Sequence, residues 1–170
     1  AGDDNFGTML KPDYSLPTQT TVKDTQIGDT TTTINYGANP ELGLAQSGTV
    51  DPSGLNLTAT NTYETQGATG SFLRQTSRSL PGNPSTNPTF QYAYYGATET
   101  KDNPCTTSTT ETFRQAGFLK LKTEADPDGT GSQTARTTEY IYDDAGRTVA
   151  SRYNTDAWTC TTYDPRGRVT

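Results

Sequence analysis

A tyrosine-led turn that recurs at one fixed offset constrains this chain more than any other feature of its sequence. Tyr142-Asp143-Asp144-Ala145-Gly146-Arg147 returns as Tyr163-Asp164-Pro165-Arg166-Gly167-Arg168, with Tyr, Asp, Gly and Arg each matched 21 residues on. Residues 148–153 and 158–163 lie between the two turns, alternate Thr, Tyr, Val or Cys with other residues, and are separated by the turn-like Asn154-Thr155-Asp156. The unit is therefore turn, strand, turn, strand. Each residue of the motif has a steric reason. An Asp that opens a tight turn accepts backbone N–H bonds through its side chain, Pro165 presets φ, and the Gly three places on takes the positive φ of a bulged hairpin. Tyr before the Asp ends one strand, where rings of successive repeats are expected to stack. Arg after the Gly starts the next strand within reach of the acid.

Composition agrees with a sheet and leaves little for a deep core. Only 29% of the residues are hydrophobic, whereas Thr makes up roughly a fifth of the chain and there are ten Tyr, both strand-forming types. The expectation is strands held by cross-strand pairs, Tyr contacts and neighbouring repeats. The same turn logic finds further copies upstream: Asp51-Pro52-Ser53-Gly54, Glu64-Thr65-Gln66-Gly67, Asp126-Pro127-Asp128-Gly129, and the weaker Asn39-Pro40-Glu41-Leu42-Gly43. Strands are predicted over 18–23, 30–36, 57–63, 72–80, 89–95, 119–124 and 137–142, which makes an antiparallel meander. Ser108-Thr109-Thr110-Glu111, with Gly117 as a stop, predicts one short helix over about 108–116. Residues 81–88 are read as a loop. The chain thus divides into degenerate β-rich repeats over 1–125 and recognisable repeats over 126–170.

A formal charge of −6 with scattered basic residues argues against a nucleic-acid partner, and no run of about twenty apolar residues is present to span a membrane. Cys105 and Cys160 are the only cysteines and have no metal-ligand spacing. They form one disulfide in an oxidising compartment or stand as two buried thiols; for a secreted or surface protein the bond is the expectation.

Tyr140-Ile141-Tyr142-Asp143-Asp144-Ala145-Gly146-Arg147 and Thr162-Tyr163-Asp164-Pro165-Arg166-Gly167-Arg168-Val169 resemble YD repeats. Such repeats occur in Rhs proteins, bacterial wall-associated proteins, Tc-toxin cocoon subunits and teneurins. The sequences around Cys105 (Asp-Asn-Pro-Cys) and Cys160 (Trp-Thr-Cys) resemble those of actinobacterial Rhs proteins. The resemblance implies a segment of a spiralling β-shell that encloses cargo such as a C-terminal toxin. It also implies that the partners are neighbouring repeats and that cargo, with self-association through an open sheet edge as a further expectation.

Other chemistries find less support. The chain has no histidine, which removes Ser-His-Asp and Cys-His sites. Asp143-Asp144 as an acid/base pair competes with simple turn capping, and adjacent residues at a strand end point to opposite faces. Glu124, Asp126 and Asp128 alternate as in the first half of a calcium loop, but Ala135 stands where the bidentate Glu is needed. Trp158 with exposed Tyr offers a carbohydrate platform, against the alternative of packing over a disulfide. The expectation is a structural protein with no enzymatic activity and no cofactor, and an adhesion or carbohydrate-binding module, or a self-assembling surface fibre, as the alternative.

Overall fold

The computed structural model describes residues 16–82, 88–108, 112–129 and 131–170. These are mainly β and antiparallel, and contain no α-helix. The chain divides into two compact units, residues 1–58 and 59–170.

In the first unit β1 (Gln19–Val22), β2 (Thr30–Asn35) and β3 (Ser47–Val50) form a meander, with Thr21 opposite Thr31 and Thr33 opposite Thr49. Their side chains are mostly Thr, which packs well on a pleated surface without a deep interior. The Thr21 and Thr31 hydroxyls lie 3.3 Å apart across the pair. A 3-10 turn over Pro40–Leu42 ends at Gly43 with φ +66°. The Asp51 turn forms differently from expectation: the left-handed conformation falls on Asp51 and Asn56, both at φ +50°, and not on Gly54. Asp51 Oδ2 instead accepts the Leu55 N–H at 2.8 Å, so the loop closes one residue later.

β4 (Leu57–Tyr63) runs through the division. The second unit continues with β5 (Gln75–Ser79), β6 (Thr89–Tyr94), β9 (Leu119–Thr123), β10 (Thr137–Tyr142), β11 (Thr148–Tyr153) and β12 (Thr159–Cys160), each paired with the next in that order. β7 (Thr100–Asp102) and β8 (Thr112–Arg114) form a separate hairpin inside the connection from β6 to β9. The strands expected over 57–63, 137–142 and 148–153 are present with those bounds, most others are shorter by one or two residues, and those expected over 72–80 and 158–163 shrink to Gln75–Ser79 and Thr159–Cys160. β3, β7 and β8 are additional, and all three are only three or four residues long.

The expected helix over 108–116 is not there. Thr112–Arg114 is a strand paired with Thr100–Asp102, with Phe113 opposite Lys101; residues 109–111 of the capping box lie outside the described residues. A capping box contributes about 1 kcal/mol, and long-range contacts on both sides of this segment override it. Of the expected loop over 81–88, residues 83–87 also lie outside the description.

The core is thin, as composition implies. Among the described residues the buried apolar side chains are Tyr95, Ile141, Val149 and Ala150, and the buried polar ones are Gln115 and Asp143. Cys105, Trp158 and Tyr163 pack against Ile141, Val149 and Ala150.

Candidate functional site: a repeated tyrosine closure

One backbone geometry recurs four times in the second unit. At the end of a strand the N–H after a Tyr donates to the carbonyl of the residue before that Tyr's cross-strand partner. The bonds are Glu64 N to Arg74 O, Tyr95 N to Phe118 O, Asp143 N to Arg147 O and Asp164 N to Arg168 O, each 2.9 Å. The corresponding Tyr pairs are Tyr63 with Gln75, Tyr94 with Leu119, Tyr142 with Thr148, and Tyr163 with Val169. In the first three the register shifts immediately before the Tyr, so each ring sits at a bulge. Bulges raise local twist and re-aim side chains, which lets one strand-ending ring lean over the next turn. The loops thus closed run from five residues (143–147 and 164–168) to twenty-four (95–118), so the closure is kept while its contents vary.

In the last two copies the acid-glycine turn is the one the sequence predicts. Asp143 Oδ1 accepts Ala145 N at 3.0 Å and Arg147 N at 2.9 Å, and Gly146 N donates to Asp143 O at 2.9 Å. Asp164 repeats this with Arg166 N and Arg168 N, both at 2.9 Å, and with Gly167 N to Asp164 O at 2.8 Å. Gly146 and Gly167 have φ of +76° and +79°. The following Arg then turns back onto its own acid: Arg147 Nε lies 2.7 Å from Asp143 Oδ2, and Arg168 Nε 2.7 Å from Asp164 Oδ2. Burial pushes the Asp143 carboxyl up, but the Arg147 hydrogen bonds and charge outweigh it and hold the group below its ordinary value. Asp164 is lowered by the backbone and side chain of Arg168.

The two glycines differ in surroundings, and their substitution is expected to separate conformation from space. A Cβ on Gly167 would have only Arg147 Nη1 near it, at 3.7 Å, whereas one on Gly146 would lie 2.9 Å from Cζ of Phe118. Gly167→Ala is expected to cost about 1 kcal/mol from φ alone, and Gly146→Ala about 2 kcal/mol or more because the Phe118 ring is held against Tyr142. Urea unfolding of the two variants checks the order; equal losses would remove the packing part of the account.

Ring-on-ring stacking of successive motif tyrosines is not what the structure contains. Tyr142 stacks on Phe118, with centroids 4.7 Å apart, while Tyr163 receives the Arg147 guanidinium at 4.6 Å and donates its hydroxyl to Thr148 O at 2.9 Å. The pattern is turn acid, arginine, next tyrosine. It recurs upstream in a form the sequence hides. Arg74 pairs with Glu64, places its guanidinium 4.3 Å from the centre of the Tyr94 ring, and the Tyr94 hydroxyl donates to Gln75 O at 2.8 Å. Thr148 and Gln75 are both the residue after the clamping Arg. Cation over aromatic face, desolvated by the ring, adds to the charge-assisted carboxylate pair. Ten residues separate Glu64 from Arg74, against four for Asp143 and Arg147, so no fixed-spacing motif finds it. Gly67 has its positive φ of +75°, but the Glu64 side chain reaches past it to accept Phe72 N at 2.8 Å and Arg74 N at 3.1 Å.

The Arg74 bonds hold the Glu64 carboxyl at about 2, from an ordinary 4.5. A carboxylate whose folded value is depressed stabilises the fold above its unfolded value and loses that contribution as pH falls through the folded one. Stability is therefore expected to decline between pH 4.5 and pH 2, with Asp143 and Asp164 adding to the slope. Glu64→Gln should lower stability at neutral pH and flatten the acid limb. An unchanged slope in pH-dependent urea unfolding would remove Glu64 as a contributor.

Two residues of the β6–β9 connection, Gln115 and Tyr95, make contacts that neither motif nor composition signals. Gln115 is fully buried and clamps Tyr142 on both sides, its Nε2 donating to Tyr142 O at 2.7 Å and its Oε1 accepting Tyr142 N at 2.9 Å. Tyr95 is buried and donates its hydroxyl to Tyr140 O at 2.7 Å; burial pushes its phenol up. Cys105 from the same connection is bonded to Cys160, with Cα atoms 5.8 Å apart. The expected disulfide is thus present, and it ties β12 to the segment after β7, where the sequence predicts a helix region. The bond indicates an oxidising environment.

The remaining candidates are spread out. Asp143 belongs to Arg147, while Asp144 Oδ1 accepts Arg114 N at 3.3 Å, so the two carboxylates serve different partners. Glu124, Asp126 and Asp128 line an open cleft of about 620 Å³, but Asp126 Oδ1 caps Asp128 N and Gly129 N, Asp128 Oδ2 accepts Gln133 N, and Glu124 lies 3.4 Å from Lys122. Among the described residues no three acids or cysteines are grouped to hold a metal ion. The Trp158 ring carries the Arg152 guanidinium at 4.6 Å and packs against the core cluster. No helix among the described residues is long and apolar enough to cross a membrane. No family model matches this sequence, and no curated protein does.

Proposed function

We propose that this chain is a structural segment of a YD-repeat shell of the Rhs kind, secreted or at the cell surface, and that it serves as wall around cargo such as a toxic polypeptide. The observation that carries the reading is the fourfold tyrosine closure, which keeps one hydrogen-bond geometry while loop length varies. Such a sheet gains stability from each neighbour and extends strand by strand. One face of the second unit supports a wall: Thr60 and Thr62 pair with Ser79 and Ser77, which pair with Thr89 and Gln91, and Gln91 pairs with Thr123. At these positions short hydroxyl and amide side chains give a polar lining, and Ala93 and Leu121 continue the same face. No catalytic role is proposed.

Inserting a second copy of residues 143–163 is expected to give a folded chain with a larger urea dependence of unfolding, because one more repeat is buried. A misfolded product would overturn the repeat reading. Electron microscopy of the protein as its source makes it is expected to show a hollow particle; a solid globule or a bare filament would overturn the shell.

A further inference from the structure

We infer that one end of the first unit docks on an electrically neutral lipid surface, which Ile27 and Leu55 enter. In an antiparallel meander the β1–β2 and β3–β4 turns fall at the same end, roughly 10 Å apart at two strand spacings. Each turn carries one large aliphatic side chain, Ile27 at 85% and Leu55 at 73% exposure. Strand residues beside the turns continue the patch on one face of the sheet. Val22 lies opposite Thr30 and Val50 opposite Thr32, two apart on β2, and Leu57 shares their face because the Thr58 hydroxyl meets that of Thr49 on the other. With Ile27 and Leu55, these three are the exposed large apolar side chains among the described residues of this unit.

Both turns hold the aliphatic residue in place by the same device. Asp24 Oδ1 accepts the N–H of Gln26 at 2.7 Å and of Ile27 at 3.1 Å, and Asp51 Oδ2 accepts the N–H of Leu55 at 2.8 Å. Gly28 N closes the first turn on Asp24 O at 3.1 Å, and Asn56 N closes the second on Asp51 O at 2.7 Å. The backbone under each exposed side chain is therefore fixed before any partner arrives, which keeps the ordering cost of docking small.

Size, side-chain type and charge select the occupant. The five side chains offer roughly 500 Å² of apolar surface, enough to mark an interaction site but short of the ~800 Å² per partner of a standard protein interface. The two turns contain no Trp, Tyr or Arg, the residues that anchor protein interfaces. A bilayer interface accepts aliphatic turn tips without matching hydrogen bonds, and its hold grows with the apolar area buried and with attraction to anionic headgroups. In these turns Lys23 is outnumbered by Asp24, Asp29 and Asp51, so anionic headgroups are repelled and neutral ones fit.

Flotation of the intact protein with phosphatidylcholine vesicles tests this. The protein is expected to float with the vesicles in low and high salt alike, and less with vesicles containing phosphatidylglycerol. Ile27→Ser and Leu55→Ser should each lower the partition roughly tenfold, the range for one aliphatic side chain leaving an apolar medium, and the double variant roughly a hundredfold. Both positions are exposed, so the variants should fold as the native protein does, as circular dichroism would confirm. No flotation of the native protein, or flotation unchanged in the double variant, overturns the surface. Flotation on anionic vesicles alone, abolished by salt, overturns the apolar mode of docking. A concentration-dependent dimer that the same substitutions dissociate overturns lipid in favour of a second copy of the chain.

Discussion

Removal of the Cys105–Cys160 bond is expected to cost about 4 kcal/mol, the largest single loss in this protein. The bond spans 55 residues, and cross-linking a loop of that length removes denatured-state entropy worth about this much. Its folded-state position adds to the effect. β12 contributes only two paired residues, both exposed, and the bond fastens them over Ile141, Val149 and Ala150. A Cys105→Ser, Cys160→Ser double variant should therefore show a much lower urea midpoint. Amide exchange should accelerate first at Thr161, whose N–H donates to Val149 O at 2.9 Å. A midpoint within experimental error of the native protein would mean that the stacked turns hold the segment without the cross-link.

Gln115→Met is expected to cost about 3 kcal/mol, more than any single turn substitution. Methionine matches the volume of glutamine and removes both hydrogen bonds to Tyr142. The Tyr142 N–H and C=O would then lie beside a buried thioether, and each unsatisfied buried group costs about 1–3 kcal/mol. The clamp joins the β6–β9 connection to a repeat turn 27 residues away, so its loss should also loosen the Phe118–Tyr142 stack. Near-ultraviolet circular dichroism of the tyrosines reports that loosening. A loss below about 0.5 kcal/mol would show that water replaces the amide without penalty, and that the clamp is incidental.

The disulfide and Gln115 place the decisive contacts of the second unit in a segment that carries no repeat motif. The Asp143 and Asp164 turns hold themselves: acid, glycine and arginine lie within five residues, and the two copies agree in every hydrogen bond. The connection over 95–118 is closed by backbone pairing, through the β7–β8 hairpin and Gln115 N to Glu99 O at 3.0 Å, and has no acid-glycine-arginine turn. It contributes a buried Tyr95, a buried Gln115 and Cys105, each bonded to a partner at least 27 residues further along the chain.

What the sequence by itself determined is local in origin. Alternating Thr and Tyr specify strands because the side-chain period of two is read within a few residues, and the β4, β10 and β11 bounds follow from it. The Asp-x-x-Gly-Arg turns follow because donor, acceptor and positive φ all fall inside one hairpin. Tertiary structure decided the rest, where the partner lies far along the chain. The capping box before Gly117 lost to a β-hairpin, since about 1 kcal/mol of local preference cannot compete with a disulfide on one side and a buried amide clamp on the other. The Glu64–Arg74–Tyr94 clamp has the chemistry of the Asp143–Arg147–Tyr163 one at different spacing, and only folding brings its three members together.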